Sequence, residues 1–131
     1  MGKSRIAKQI VAETENKVGM LADVTDAVAG SGANIQTICA YAMGDKAVFY
    51  LITDNNQKAL SGLKSKGYGV KEEDVVVVDL VNEVGSASSL AKKLKDAGID
   101  LSYIYGSAGE AKESLIVFKS DNNAKAVTVI G

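Results

Sequence analysis

The sequence contains no histidine, no proline and no tryptophan, and its 131 residues include a single cysteine, Cys39. Without an imidazole there is no Ser-His-Asp or Cys-His catalysis, no His-ligated metal, and no side chain whose ordinary pKa lies near neutrality. One cysteine forms no internal disulfide, so nothing calls for an oxidising compartment. No stretch approaches the ~20 apolar residues that span a bilayer, and the N-terminus carries no apolar signal core. Charge of one sign is lacking too. Fifteen basic residues face sixteen acidic ones, leaving no electrostatic footprint for nucleic acid or an anionic membrane. The expectation is a cytoplasmic binding protein rather than an enzyme, with no cofactor, no metal, no nucleic-acid partner and no membrane association.

What is present is a packed chain, 47% hydrophobic and 24% charged, and it is a duplication. Asn16-Lys-Val-Gly19 matches Asn82-Glu-Val-Gly85 at a shift of 66 residues, and the same shift sets Gly32-Ala-Asn34 over Gly98-Ile-Asp100. After one inserted residue, Asp54-Asn-Asn-Gln-Lys-Ala-Leu60 aligns with Asp121-Asn-Asn-Ala-Lys-Ala-Val127, identical at five of seven positions. Periodic self-similarity of this kind marks a repeated structural unit.

Each copy reads strand, helix, strand, strand, helix. Arg5 to Glu13 alternates as a strand, and Met20 to Ser31 follows as a helix with Leu21, Val24 and Val28 on one stripe. Asn34 to Met43 and Lys46 to Thr53 flank a Gly44-Asp45 turn. Asp54 is the expected cap of the next helix, and Tyr68 to Glu72 forms a short strand. Lys71-Glu-Glu-Asp74 reads as a polar connector, which divides the chain into residues 1–73 and 74–131. The second copy opens with Val75 to Val81, and its first helix turns Ala87, Leu90, Ala91 and Leu94 inward. No residues follow that would supply its last strand. Either the chain continues, or that sheet is one strand short, or another segment covers the edge. The fold class is α+β: two ferredoxin-like βαββαβ repeats, antiparallel sheets with helices on one face, the second lacking its last strand. A unit of this size buries only ~60% of its chain surface alone. Pairing of copies, within or between chains, is therefore expected.

The chemistry-bearing segment is Glu15-Asn-Lys-Val-Gly-Met-Leu21, where a strand hands over to a helix. A helix start presents unpaired N–H groups and the positive end of the dipole, which suit a carboxylate. Gly19 permits close approach, and Asn16 offers donor and acceptor. Equally, Asn16 could close an Asx-turn and Gly19 merely permit it. Val18, Met20 and Ile35 are either pocket walls or core. Cys39, mid-strand, reads as a buried small hydrophobe. Asp54-Asn-Asn and Asp121-Asn-Asn lack the spacing of a calcium loop and are explained by capping. No phosphate-loop or dinucleotide motif occurs. Acyl-phosphate chemistry on this fold would need an arginine clamp, and Arg5 is the chain's one arginine.

Glu15-Asn-Lys-Val-Gly, then Leu21-Ala-Asp-Val-Thr, then Gly32-Ala-Asn-Ile35 resembles an ACT domain, and the tandem arrangement resembles a paired-ACT protein. The resemblance is strongest over residues 13 to 60 and weaker over 75 to 130. It implies a small regulatory module that binds an amino acid between two copies. It assigns ligand contacts to Thr14, Asn16, Lys17, Val18, Gly19, Met20, Asn34 and Ile35, with Asn82, Gly85, Asp100 and Leu101 as weaker counterparts. Val18 and Val84 stand where the family often has proline, Leu80 replaces Thr14, and Asp100 replaces an amide with a carboxylate. The implied partners are an amino acid, a second copy in a homodimer or higher oligomer, and an enzyme or regulator controlled in trans. The competing reading is an assembly module whose sheet faces or edges pair and whose loops bind nothing.

Overall fold

The computed structural model describes residues 2–131. The elements are β1 Lys3–Glu15, α1 Met20–Gly30, β2 Ile35–Met43, β3 Lys46–Thr53 and α2 Asn56–Ser65. They continue with β4 Gly69–Val81, α3 Ser86–Asp96, β5 Leu101–Ser107, β6 Glu113–Ser120 and α4 Asn123–Ile130. The chain forms two compact units, one of Lys8–Glu73 and one of the residues up to Ala7 together with Asp74–Gly131. The segments before Ala7 and after Asp74 thus belong to the same unit. Ser4 N–H donates to Gly131 O at 2.8 Å, its hydroxyl donates to the same oxygen at 2.9 Å, and Arg5 pairs with Asp79 at 3.3 Å. Among the described residues no strand follows α4, and Lys3–Ala7 runs beside β4 in that unit.

In the unit of Lys8–Glu73, β3 lies between β2 and β1, antiparallel to both. Rows such as Ile38–Leu51–Ile10 and Ala40–Phe49–Ala12 face the helices. The core joins Ile10, Phe49 and Leu51 to Val24 and Val28 of α1 and to Ala59, Leu60 and Leu63 of α2. Full burial of one such side chain is worth about 1.5–3 kcal/mol. Helix α2 carries Gly62 mid-helix, where a Cβ would stand 2.6 Å from Ala27 O. The close approach of α1 therefore requires the glycine, despite its ~1 kcal/mol helix penalty. The other unit repeats the plan, with β6 between β4 and β5. Val76, Val78, Leu80 and Phe118 pack there on Leu90, Leu94, Ala126 and Ile130.

Several sequence expectations shift. Leu21 is exposed, and the buried stripe of α1 is Met20, Val24, Ala27 and Val28. Leu21 sits one residue past the stripe, at the rim of the helix start. Ala87 and Ala91 are likewise exposed, leaving Leu90 and Leu94 as the buried residues of α3. The polar connector Lys71-Glu-Glu-Asp74 is strand throughout. It lies inside the 13-residue β4, which joins the last strand of the first repeat to the first strand of the second. Backbone pairing overrides polar side chains there, as strand propensity is weak against context. Cys39 is half-buried, cross-strand from Tyr50 on the face away from the helices.

The Asp-Asn-Asn motif also works differently from the expected Asp cap. Asn55 caps α2, its side chain accepting from Lys58 N–H at 3.2 Å, while Asp54 accepts from Asn34 N–H at 2.8 Å. Asn56 accepts from the Thr53 hydroxyl at 2.7 Å and donates to Lys8 O at 3.0 Å. Asn122, Asp121 and Asn123 repeat all three roles, with Asn123 donating to Asp74 O at 3.1 Å. Three consecutive side chains therefore tie a helix start to two strands, which accounts for the best-matched segment of the repeat.

Candidate ligand-binding site

The end of β1 and the start of α1 are shaped by Gly19, the N-cap residue, at φ +90°, a left-handed conformation that L side chains rarely adopt. No side chain caps α1. Met20 N–H reaches Lys17 O and Asp23 N–H reaches Gly19 O, so the intervening Leu21 and Ala22 amides are the orphans of this helix start. Asn16 ties the loop to the β2–β3 turn: its backbone N–H donates to Asp45 O at 2.8 Å and its side chain to Gly44 O at 3.3 Å. Thr14 is buried and donates to Glu15 O at 2.9 Å. Lys17 lies 3.1 Å from Glu15, whose hydrogen bond and charge raise the lysine pKa. Val18 is fully exposed at the loop tip, and Met20 is buried beneath the helix.

The second repeat copies this loop. Gly85 caps α3 at φ +87°, and Asn82 ties the loop to the β5–β6 turn, donating from its side chain to Ala111 O at 2.7 Å. Val84 is fully exposed, like Val18, while Leu80 in the place of Thr14 is buried in the core.

Asn34 and Ile35 lie elsewhere. Lys46 of β3 stands opposite both Glu15 and Met43, so β1 and β2 end together at the loop end of the sheet. Helix α1 carries the chain back, and its 11 residues span ~16 Å before Asn34 begins β2 at the far end. There Asn34 O accepts from Asp54 N–H at 3.0 Å, and Ile35 packs against the core. Asp100 and Leu101 hold the equivalent place in the second repeat, with Asp100 N–H donating to Asp121 at 3.2 Å. The structure thus brings Thr14, Asn16, Lys17, Val18, Gly19 and Met20 together and sets Asn34 and Ile35 apart from them within the unit.

Beside the loop lies an open hollow of about 570 Å³, lined by Thr14, Lys17 and Met20. Three carboxylates, Glu13, Glu15 and Asp45, line it with three ammonium groups, Lys17, Lys46 and Lys66. Sequence reasoning did not select Asp45, Lys46, Lys66 or Tyr68. They sit in two other turns, and only the strand order brings those turns to the end of β1. Among the described residues no cluster of three metal-ligating side chains occurs, and no helix is long and apolar enough to cross a membrane.

Residues 6–131 match the ACT domain pair family, and the chain belongs to it. The fold is shared with the solved structure of protein BT0572 from Bacteroides thetaiotaomicron (TM-score 0.89, 27% identity, 97% of this chain and 88% of that one). It is also similar to the regulatory subunit of aspartate kinase from Thermus thermophilus (TM-score 0.66, 16% identity, 99% and 95% covered). The regulatory subunit of aspartate kinase from Thermus flavus shows the same likeness (TM-score 0.64, 16% identity, 98% and 94% covered). No curated protein matches the chain.

Proposed function

We propose that this protein is an amino-acid sensor of the cytoplasm, a regulator rather than a catalyst, which acts in trans on a metabolic enzyme or its regulator. The observation that carries the reading is the separation of the two halves of the candidate set by the length of α1. The Asn16–Gly19 loop supplies helix-start amides for a carboxylate, and Asn34 with Ile35 supplies a polar and an apolar contact at the other end. One unit cannot close both around a single amino acid. A second copy running antiparallel sets its Asn34 against the first copy's loop, giving a site at each end of a homodimer. The hollow beside the loop, with carboxylates and ammonium groups in equal number, is suited to a zwitterion.

The test is complementation. Asn16→Ala and Asn34→Ala chains are each expected to lose amino-acid binding in calorimetry. An equimolar mixture regains one intact site per heterodimer, because one loop and one β2 start remain unaltered and face each other. Failure of all twenty amino acids to bind the unaltered chain at millimolar concentration overturns the sensor reading. Binding without complementation overturns the shared site. A second reading, pure assembly, draws on the apolar Ile38 and Met43, 43% and 66% exposed along edge strand β2. It requires self-association that no amino acid affects.

A further inference from the structure

Within the unit of Lys8–Glu73, β2 ends the strand order, with β3 as its one strand neighbour. The two-residue turn Gly44-Asp45 makes Met43 and Lys46 a hydrogen-bonded pair. Alternation along the hairpin then directs the backbone groups of Tyr41 and Cys39 toward β3 and those of Ile38, Ala40 and Ala42 outward. Edge strands of this length are ordinarily guarded by a lysine, a proline or a bulge. From Ile35 to Met43 there is no charged residue, no proline and no glycine, and the register shift lies at the start, between Ile35 and Thr37. Ile38, Tyr41 and Met43 are exposed along this edge.

The helix above the edge extends the same uncharged surface. Helix α1 joins β1 to β2 across β3, and Gly62 of α2 lies against Ala27 and Ser31 on its other flank. Asp23 and Asp26 turn to that other flank, lining a hollow with Lys66 and Tyr68. The flank toward β2 carries Leu21, which is exposed, and Thr25 one turn on. Below them, Ile38 and Ala40 occupy the helix-facing side of β2. The nine residues of β2 run ~30 Å and the 11 of α1 run ~16 Å. With layers ~10 Å deep, the surface covers on the order of 450 Å² per copy, or about 900 Å² for two. That is short of the ~1,200 Å² at which permanent interfaces begin, and it suits reversible association.

We propose that β2 pairs antiparallel with β2 of a second copy about a two-fold axis at Cys39. Cys39 is the middle residue of the strand, so this centre alone pairs β2 over its full length. A two-fold interface must be self-complementary, and β2 is so about Cys39. Ile38 meets Ala40 and Thr37 meets Tyr41 of the second copy, a larger side chain against a smaller one each time. The outward backbone groups of Ile38 and Ala40 bond to each other, and the two Cys39 residues face one another between those bonds. The same register brings Asn34 of one copy beside the Gly44-Asp45 turn of the other, to which Asn16 is tied. The inference rests on the homodimer reading above and adds the surface and the register that form it.

The experiment reads the register by disulfide trapping in the full chain, whose one cysteine is Cys39. Facing residues of such a pair have Cα atoms about 4.5 Å apart, within disulfide reach. With glutathione disulfide as oxidant, the two thiols are expected to join as a disulfide while two molecules of reduced glutathione are released. A covalent dimer then runs on a non-reducing gel. In chains that also carry Cys39→Ser, Thr37→Cys and Tyr41→Cys should trap a dimer when mixed and not alone. Ile38→Lys should raise the dimer Kd about tenfold in sedimentation, with a thermal melt to verify folding. A chain that stays monomeric at millimolar concentration, Thr37→Cys trapped with itself, or a folded Ile38→Lys chain that dimerises as before overturns the pairing. Complementation of Asn16→Ala by Asn34→Ala then decides the shared site separately. Trapping in this register by a chain that binds no amino acid supports the pairing and overturns the sensor reading.

Discussion

Tyr50 stands cross-strand from Val11 and Cys39, with its hydroxyl 3.3 Å from that of Tyr41 and the two rings tilted at a centroid distance of 5.9 Å. Burial raises its pKa, and the hydrogen bond to Tyr41 and the nearby charges raise it further. In the unfolded chain the phenol ionises near pH 10, whereas the folded protein keeps the proton to higher pH. The stability it contributes is therefore complete below pH 10 and falls as pH rises above it, because the unfolded state sheds the proton first. A Tyr50→Phe chain should lose less stability between pH 9 and 11 in urea melts. Its absorbance titration should lack one tyrosine ionisation on the alkaline side of pH 10. At this same scale Asn16 and Asn82 have a clear structural duty, since each stitches its loop to the neighbouring hairpin turn. Their recurrence in both repeats follows from that duty whether or not a ligand is bound.

Strands β1 and β4 are each 13 residues long, and each contributes to both compact units. Lys3–Ala7 is the segment whose removal best tests that arrangement. The hydroxyl of Ser4 bonds to Gly131 O, so Ser4→Ala should lower stability by about 0.5–1.5 kcal/mol in denaturant melts. A chain beginning at Lys8 should lose more, because the side of β4 that Lys3–Ala7 lies beside is then left unpaired. Hydrogen exchange should accelerate in α4 and β4 and leave α1 and α2 protected. Equal loss of protection throughout would show that Lys3–Ala7 does not serve the second unit in particular. The Asp-Asn-Asn clamp belongs to this scale too: one side chain caps the helix while its neighbours hold two strands, so the motif outlasts the divergence of the residues around it.

For the whole molecule, the proposed site, shared between the Asn16 loop of one copy and Asn34 of another, would make ligand binding and self-association parts of one equilibrium. Dilution that separates the copies should abolish amino-acid binding, and a ligand at one hundred times its Kd should stabilise the assembled form by ~2.7 kcal/mol. Sedimentation with and without ligand reads the coupling directly, and binding that persists in a demonstrated monomer contradicts it. The sequence by itself determined the duplication, the order of elements, the alternation that separates sheet faces, and the turns that Gly19 and Gly85 permit. These follow from local conformational preference and from periodicity, which a linear pattern records. It left open the exposure of Leu21, Ala87 and Ala91, because a helix stripe is fixed by what packs against it. It also hid the continuity of β4 through Lys71-Glu-Glu-Asp74, where backbone hydrogen bonds, invisible in composition, outweigh polar side chains. Only the tertiary structure decided which turns gather at the end of β1, that Asn34 lies at the other end of α1, and that β2 is left with β3 as its one strand neighbour. Those are facts of strand order, set by residues far apart in the chain.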